Sequence, residues 1–197
     1  MDLTIAAMQV DELAILKSGY EAVHERIIPF MFKMEEQKIR KRIIPLINPV
    51  TWMIWHVLRV EDMFLSDVVF RKEQVYHKDK WKDQLNIETA QVGTGMTKEH
   101  ADQLSLQIDL IQLKEYNGAV KEHTMELLEL LPGWPSDKLD DAHEIEKRLL
   151  AVDAFPVPVA RERAVAYAPT PVSSCILGVI SHTYMHFGQY LALTKPW

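Results

Sequence analysis

The chain has 197 residues, enough for one domain over 1–197 with a full core, and its 48% apolar and 25% charged residues are ordinary for a globular protein. A formal net charge of −6 offers no field to a phosphate backbone, which argues against nucleic acid as a partner. The one cysteine, Cys175, excludes an internal disulfide framework.

The N-terminal stretch MDLTIAAMQVDEL has no basic segment and soon meets Asp11 and Glu12, unlike a signal peptide. No apolar run approaches the roughly 20 residues that span a bilayer. The expected compartment is the cytoplasm, with no membrane partner. Leu13, Leu16, Tyr20, Val23, Ile27 and Phe30 then follow helical steps of three and four, with a kink or an end expected at Pro29. KIRKRIIPLINP reads as a connection. Asn48 as cap and Pro49 as first helical residue open a second helix, VTWMIWHVLRVEDMFLSDVVF. Residues 78–96 read as a crossover loop.

Thr97 caps a long third helix with a stripe of Leu106, Leu110, Leu113, Val120, Leu127 and Leu131, widened by Leu104, Ile108 and Ile111. Pro132, Gly133 and Pro135 stop it. Ser136 is the expected cap of a shorter helix through DKLDDAHEIEKRLLAVD, whose acidic run reads as a solvated face. FPVPVARERAVAYAPTP reads as a proline-punctuated surface segment, and residues 78–96 or 151–171 leave room for a hairpin. A final helix follows Pro171 and ends before Pro196. The expected fold is all-α: a four-helix bundle with long crossover connections and one extra short helix.

The sharpest chemical feature is HTYMH. His182 and His186 stand one turn apart on one helical face, so two imidazoles can converge on one ion. The pattern by itself is common, and two unrelated histidines would also produce it. Its stripe extends through Cys175, Gly178 and Gln189, small and polar residues that suit a cavity better than a core seam. A third ligand must come from elsewhere. Among His24, His56, His100, His123 and His143, His56 is best placed, beside Trp52 and Trp55 in an apolar helix, where a satisfied core histidine is the alternative. His123 is its main rival. His24, His77, His100 and His143 have polar neighbours and read as solvated. Glu61 and Asp62 read as helix-face partners of Arg59 or another cation. Cys175 reads as a small buried hydrophobe, with contact to the pocket or a fourth ligand as the alternative. Thr183 stands where a zinc protease needs glutamate, and no CxxC, GxGxxG, Walker or GxSxG motif occurs.

WMIWHVLRVEDMF and SHTYMHFGQYLAL together resemble the two metal motifs of the DinB/YfiT-like superfamily. His56 matches the helix-two histidine, His182 and His186 match the C-terminal pair, and Gly188 and Gln189 complete an HxGQ signature. The stretch before helix three is also similar, so the resemblance covers nearly the whole chain except 154–171. It implies a helical bundle, commonly a homodimer, with a divalent metal on His56, His182 and His186, nickel or zinc in first place. It further implies a metal-dependent transferase or isomerase that uses a low-molecular-weight thiol, or water, on a small-molecule substrate. Gln189, Trp52, Trp55 and Cys175 are then expected in the pocket or behind the ligands. Gln189 would orient a ligand or cap a neighbouring polar group. The alternatives are a metal- or ligand-binding bundle without catalysis, and an interaction protein whose histidines are merely packed.

Overall fold

The computed structural model describes residues 3–133 and 139–194, which form an all-α fold with no strand among them. The first helix, α1, covers Leu3–Ala22 and continues through a π-helical stretch, Val23–Ile27, into a last turn, Ile28–Met31. Pro29 therefore does not end the helix. The widened turn before it accommodates the missing N–H, and the rod continues. The extra residue per turn also rotates the apolar face: Ile28 and Met31 are buried, while Phe30 turns outward.

After a short helix, α2 (Glu36–Ile39), comes α3, Val50–Met63, extended by a second π-helical stretch, Phe64–Phe70. Pro49 is its cap residue, so the helix begins one position later than Asn48 and Pro49 suggested. Nearly every side chain of α3 is buried, as expected for a helix with neighbours on most sides. Two short helices, α4 (Val75–Lys78) and α5 (Trp81–Gln84), punctuate the crossover.

Thr97 caps α6, Lys98–Gln107, as expected. The third helix is nevertheless two helices. Asp109 adopts an extended backbone and its carboxylate accepts from the N–H groups of Ile111 and Gln112, opening α7, Leu110–Leu128. The break takes Leu106 and Ile111 off the buried stripe and leaves them exposed. Asp141 caps α8, Ala142–Ala151; Ser136 lies outside the described residues. Residues 155–171 do not merely wrap the surface: Val157–Tyr167 is a helix, α9. The last long helix, α10, covers Val172–Thr194.

The four long helices pack as a closed ring in the order α1, α7, α3, α10. Side-chain contacts between the helices give their directions. Lys17 meets Glu129 and His24 meets Asn117, so α1 and α7 are antiparallel. Arg59 meets Tyr116 and Ser66 meets His123, so α3 and α7 are parallel. Tyr20 reaches the Ile176 carbonyl and Tyr190 the Phe30 carbonyl, so α1 and α10 are parallel. Helices α1 and α3 thus sit at opposite corners, as do α7 and α10, so the α1–α3 and α7–α10 connections each run diagonally across one end of the bundle. The one from α3 to α7 must return the whole length of the bundle, which carries residues 92–94 past the start of α3. No helix among the described residues is long and apolar enough to cross a membrane.

Candidate metal centre

Because α3 and α10 are antiparallel, the first turns of α3 face the last turns of α10. This brings His56, His182 and His186 together. Their ring centroids are 5.0 Å (His56–His182), 5.1 Å (His56–His186) and 4.7 Å (His182–His186) apart. One ring nitrogen from each lies within 4.8 Å of the others. The Nε2 atoms of His182 and His186 are 3.2 Å apart, the spacing of two neighbouring ligands bound at about 2.0–2.1 Å.

Second partners orient two of these rings. His56 Nδ1–H donates to the Val92 carbonyl, and His186 Nδ1–H donates to Gln189 Oε1 at 2.9 Å. Both Nε2 lone pairs are then presented to the same space. Gln189 thereby orients the His186 ring. His182 Nδ1 is buried without a hydrogen-bond partner among the described residues. If His182 Nε2 is unprotonated, two lone pairs face each other at 3.2 Å. If it is protonated, a buried lone pair is stranded at Nδ1. A cation between the Nε2 atoms removes the first conflict, so the donor set fits a divalent transition ion.

All three imidazoles are held neutral. Burial pushes His182 down to about 4, helped by the nearby His186 and Arg163. Burial, then His186 and His182, holds His56 well below its ordinary value. Burial also lowers His186, against the pull of its bond to Gln189. In the unfolded chain His182 protonates near 6.5, whereas in the folded metal-free protein it resists until about 4. Between those values the unfolded state holds more protons, so stability rises with pH. It is fully present above about 6.5 and is lost on acidification, by about 1.4 kcal/mol per pH unit for each proton involved. The urea midpoint of metal-free wild type should therefore fall relative to that of His182→Asn as the pH drops below about 6.5. Equal slopes in the two proteins would contradict this assignment.

Aromatic rings close the inner side. Trp52 stacks on His56 with centroids 4.4 Å apart and an interplanar angle of 18°. Trp52 and Trp55 are both buried, and Gly93 packs on them: a Cβ at Gly93 would lie 2.7 Å from the Trp55 ring. On the other side of His182 opens a cavity of about 380 Å³ between α3, α9 and α10. Cys175 and Gly178 line it, whereas Trp52 and Trp55 do not. Cys175 stands outside the three-histidine cluster: its thiol leans toward the Thr170 carbonyl at 3.9 Å, and burial pushes it up to about 11.

The remaining histidines fall elsewhere. His123 sits against Ser66 Oγ at 3.0 Å, away from the cluster. His77, His100 and His143 are exposed, as expected. His24 is not solvated. It is 2% exposed, with Nε2 2.8 Å from Glu61 and Nδ1 2.8 Å from Asn117. Two acceptors on one ring mark an imidazolium, and although burial opposes the charge, Glu61 and Asn117 raise its pKa. Glu61 and Asp62 are buried and meet cationic partners as expected, Asp62 pairing with Arg59 at 3.4 Å and Glu61 with His24 at 2.8 Å. Sequence reasoning missed Arg163 and Tyr167, which line the cavity from α9, and the Val92–Gly93 backbone beside His56. The signal for α9 was there: two prolines followed by ARERAVAY, a run of helix formers with Ala160, Ala164 and Tyr167 at steps of four and three.

No family model and no curated protein matches the sequence. Among solved structures the chain is similar to a conserved protein from Enterococcus faecalis, at 18% identity with a TM-score of 0.56, over 91% of this chain and 93% of that one. That likeness concerns the fold: the same helical architecture is built from a very different sequence.

Proposed function

We propose that His56, His182 and His186 hold a divalent transition metal, nickel or zinc in first place, and that the protein is a DinB/YfiT-like metal-dependent transferase or isomerase. Its cosubstrate is a low-molecular-weight thiol, or water, and its substrate a small molecule. The observation that carries this reading is the convergence of three neutral imidazoles, two with their outward nitrogens already engaged, at the mouth of a cavity. A divalent ion on three protein ligands keeps an open position and acidifies the thiol or water that takes it. The protein's own part is orientation and exclusion. Val92 and Gln189 fix the ring tautomers, Trp52 and Trp55 keep water from the inner side, and the cavity receives the organic reactant beside His182. A homodimer belongs to this reading. Leu177, Tyr184 and Leu191 repeat every seven residues along the outer side of α10 and are exposed, an apolar stripe suited to a second copy.

Elemental analysis of protein purified without a histidine tag tests the centre. Wild type should carry close to one equivalent of metal, and His56→Ala and His182→Ala should lose it while keeping their helical circular dichroism. A metal-free wild type that also refuses zinc and nickel on reconstitution would end the metalloenzyme reading. Metal retention without thiol-dependent turnover of any electrophile would leave a binding protein.

A further inference from the structure

The cavity beside His182 has one charged side chain in its wall, Arg163, and no carboxylate. Val60, Phe64 and Val179 are among its apolar lining residues, and Thr94, Thr170 and Ser174 among its polar ones. Arg163 is half-buried, yet it makes no ion pair or hydrogen bond among the described residues. Two positions away on the outside of the same helix, Arg161 holds Glu146 at 2.7 Å. A guanidinium partly removed from water and left without a counter-ion is costly, and a bidentate carboxylate is its best match. The chain as a whole is acidic, so the positive spot is local to this cavity rather than part of a basic surface. Arg163 and His182 line the same cavity, so one small molecule can reach both.

We propose that this cavity binds a small molecule bearing a carboxylate, with the carboxylate on Arg163 and the other end directed to the His56, His182 and His186 centre. The volume, about 380 Å³, is at the lower end for ligand pockets and suits a metabolite-sized acid. Gly178 keeps the space open: nothing lies within 4 Å of a Cβ built there. The inference rests on the metal reading for the orientation of the ligand, and on Arg163 alone for its charge.

Cobalt-loaded protein tests both parts separately. The probes are 3-mercaptopropionate and 6-mercaptohexanoate against 3-mercapto-1-propanol and 6-mercapto-1-hexanol, with thiolate-to-cobalt absorption as the readout. At least one acid should bind roughly tenfold more tightly than its alcohol. Arg163→Met should abolish that preference, and Arg163→Lys should keep part of it. Gly178→Leu should weaken acid and alcohol alike without loss of cobalt. Acid and alcohol binding equally at both lengths, or a preference that survives in Arg163→Met, overturns the carboxylate assignment while leaving the metal centre intact. Failure of the wild type to take up cobalt overturns the centre itself, and with it the placement of the ligand.

Discussion

Asp62→Ala is expected to cost about 3 to 5 kcal/mol, because it strips a buried guanidinium of its counter-ion. Arg59 is completely buried beneath Tyr76, whose ring centroid lies 3.7 Å from the guanidinium carbon. Asp62 is its one carboxylate partner among the described residues, and that carboxylate does further work. Its oxygens accept from the Val75 and Tyr76 N–H groups at 3.0 and 2.9 Å and from the Tyr116 hydroxyl at 2.7 Å. It therefore caps α4 from a different helix and ties α3 to α7. Gln74 Oε1 and the Ala90 carbonyl, each 2.8 Å from Arg59, remain after the substitution, but neither carries charge. The paired change Arg59→Met with Asp62→Leu should recover only the part of the loss that comes from the orphaned charge, because the Val75 and Tyr76 N–H groups and the Tyr116 hydroxyl still lose their acceptor. Urea denaturation of wild type, single and double variants measures this. A single variant within about 1 kcal/mol of wild type would mean that water reaches Arg59.

Gly93→Ala should both destabilise the protein and disable the centre. The residue has φ +92°, which L side chains rarely adopt, and an added Cβ would stand 2.7 Å from Trp55 and 3.1 Å from Trp52. Backbone strain of about 1 to 3 kcal/mol is only part of the cost. The two indoles are buried in the core and have little room to retreat, so the backbone must move instead. Its neighbour Val92 supplies the carbonyl that holds His56. Metal affinity should drop by about 10- to 100-fold, as for loss of a ligand's orienting partner. Isothermal titration with zinc beside thermal denaturation separates the two effects. Unchanged zinc affinity at a lowered midpoint would show that the Val92 carbonyl has no part in the centre.

Helical periodicity made the long helices legible, and they carry the site. The face of α10 bearing Cys175, Gly178, His182, His186 and Gln189 emerges as one lined surface because spacing on a straight helix is a local property. Where local rules failed, tertiary context or an overlooked cap was responsible. Asp109 followed by Gln112, like Asp141 followed by Glu144, has the spacing of a capping box, and reading it would have divided the third helix correctly. His24 looked solvated from its neighbours in sequence. Its partners Glu61 and Asn117 come from two other helices, so nothing near it in the chain marks it as buried and charged. Arg163 was invisible as a site residue for the same reason, since only the placing of α9 beside α3 and α10 creates the cavity it lines.

The order of helices around the ring bears on how the chain reaches this state. No two consecutive long helices form a hairpin. Helices α3 and α7 are neighbours but run the same way, and α1 finds its partners in α7 and α10, the latter at the far end of the described chain. Interhelical contacts must therefore wait for the closure of long loops, an entropy cost met before packing returns it. Folding should be slow for a helical protein, well behind an up-and-down bundle of equal length. The three-histidine cluster draws His56 from α3 and His182 and His186 from α10, so it cannot exist before those two helices have docked.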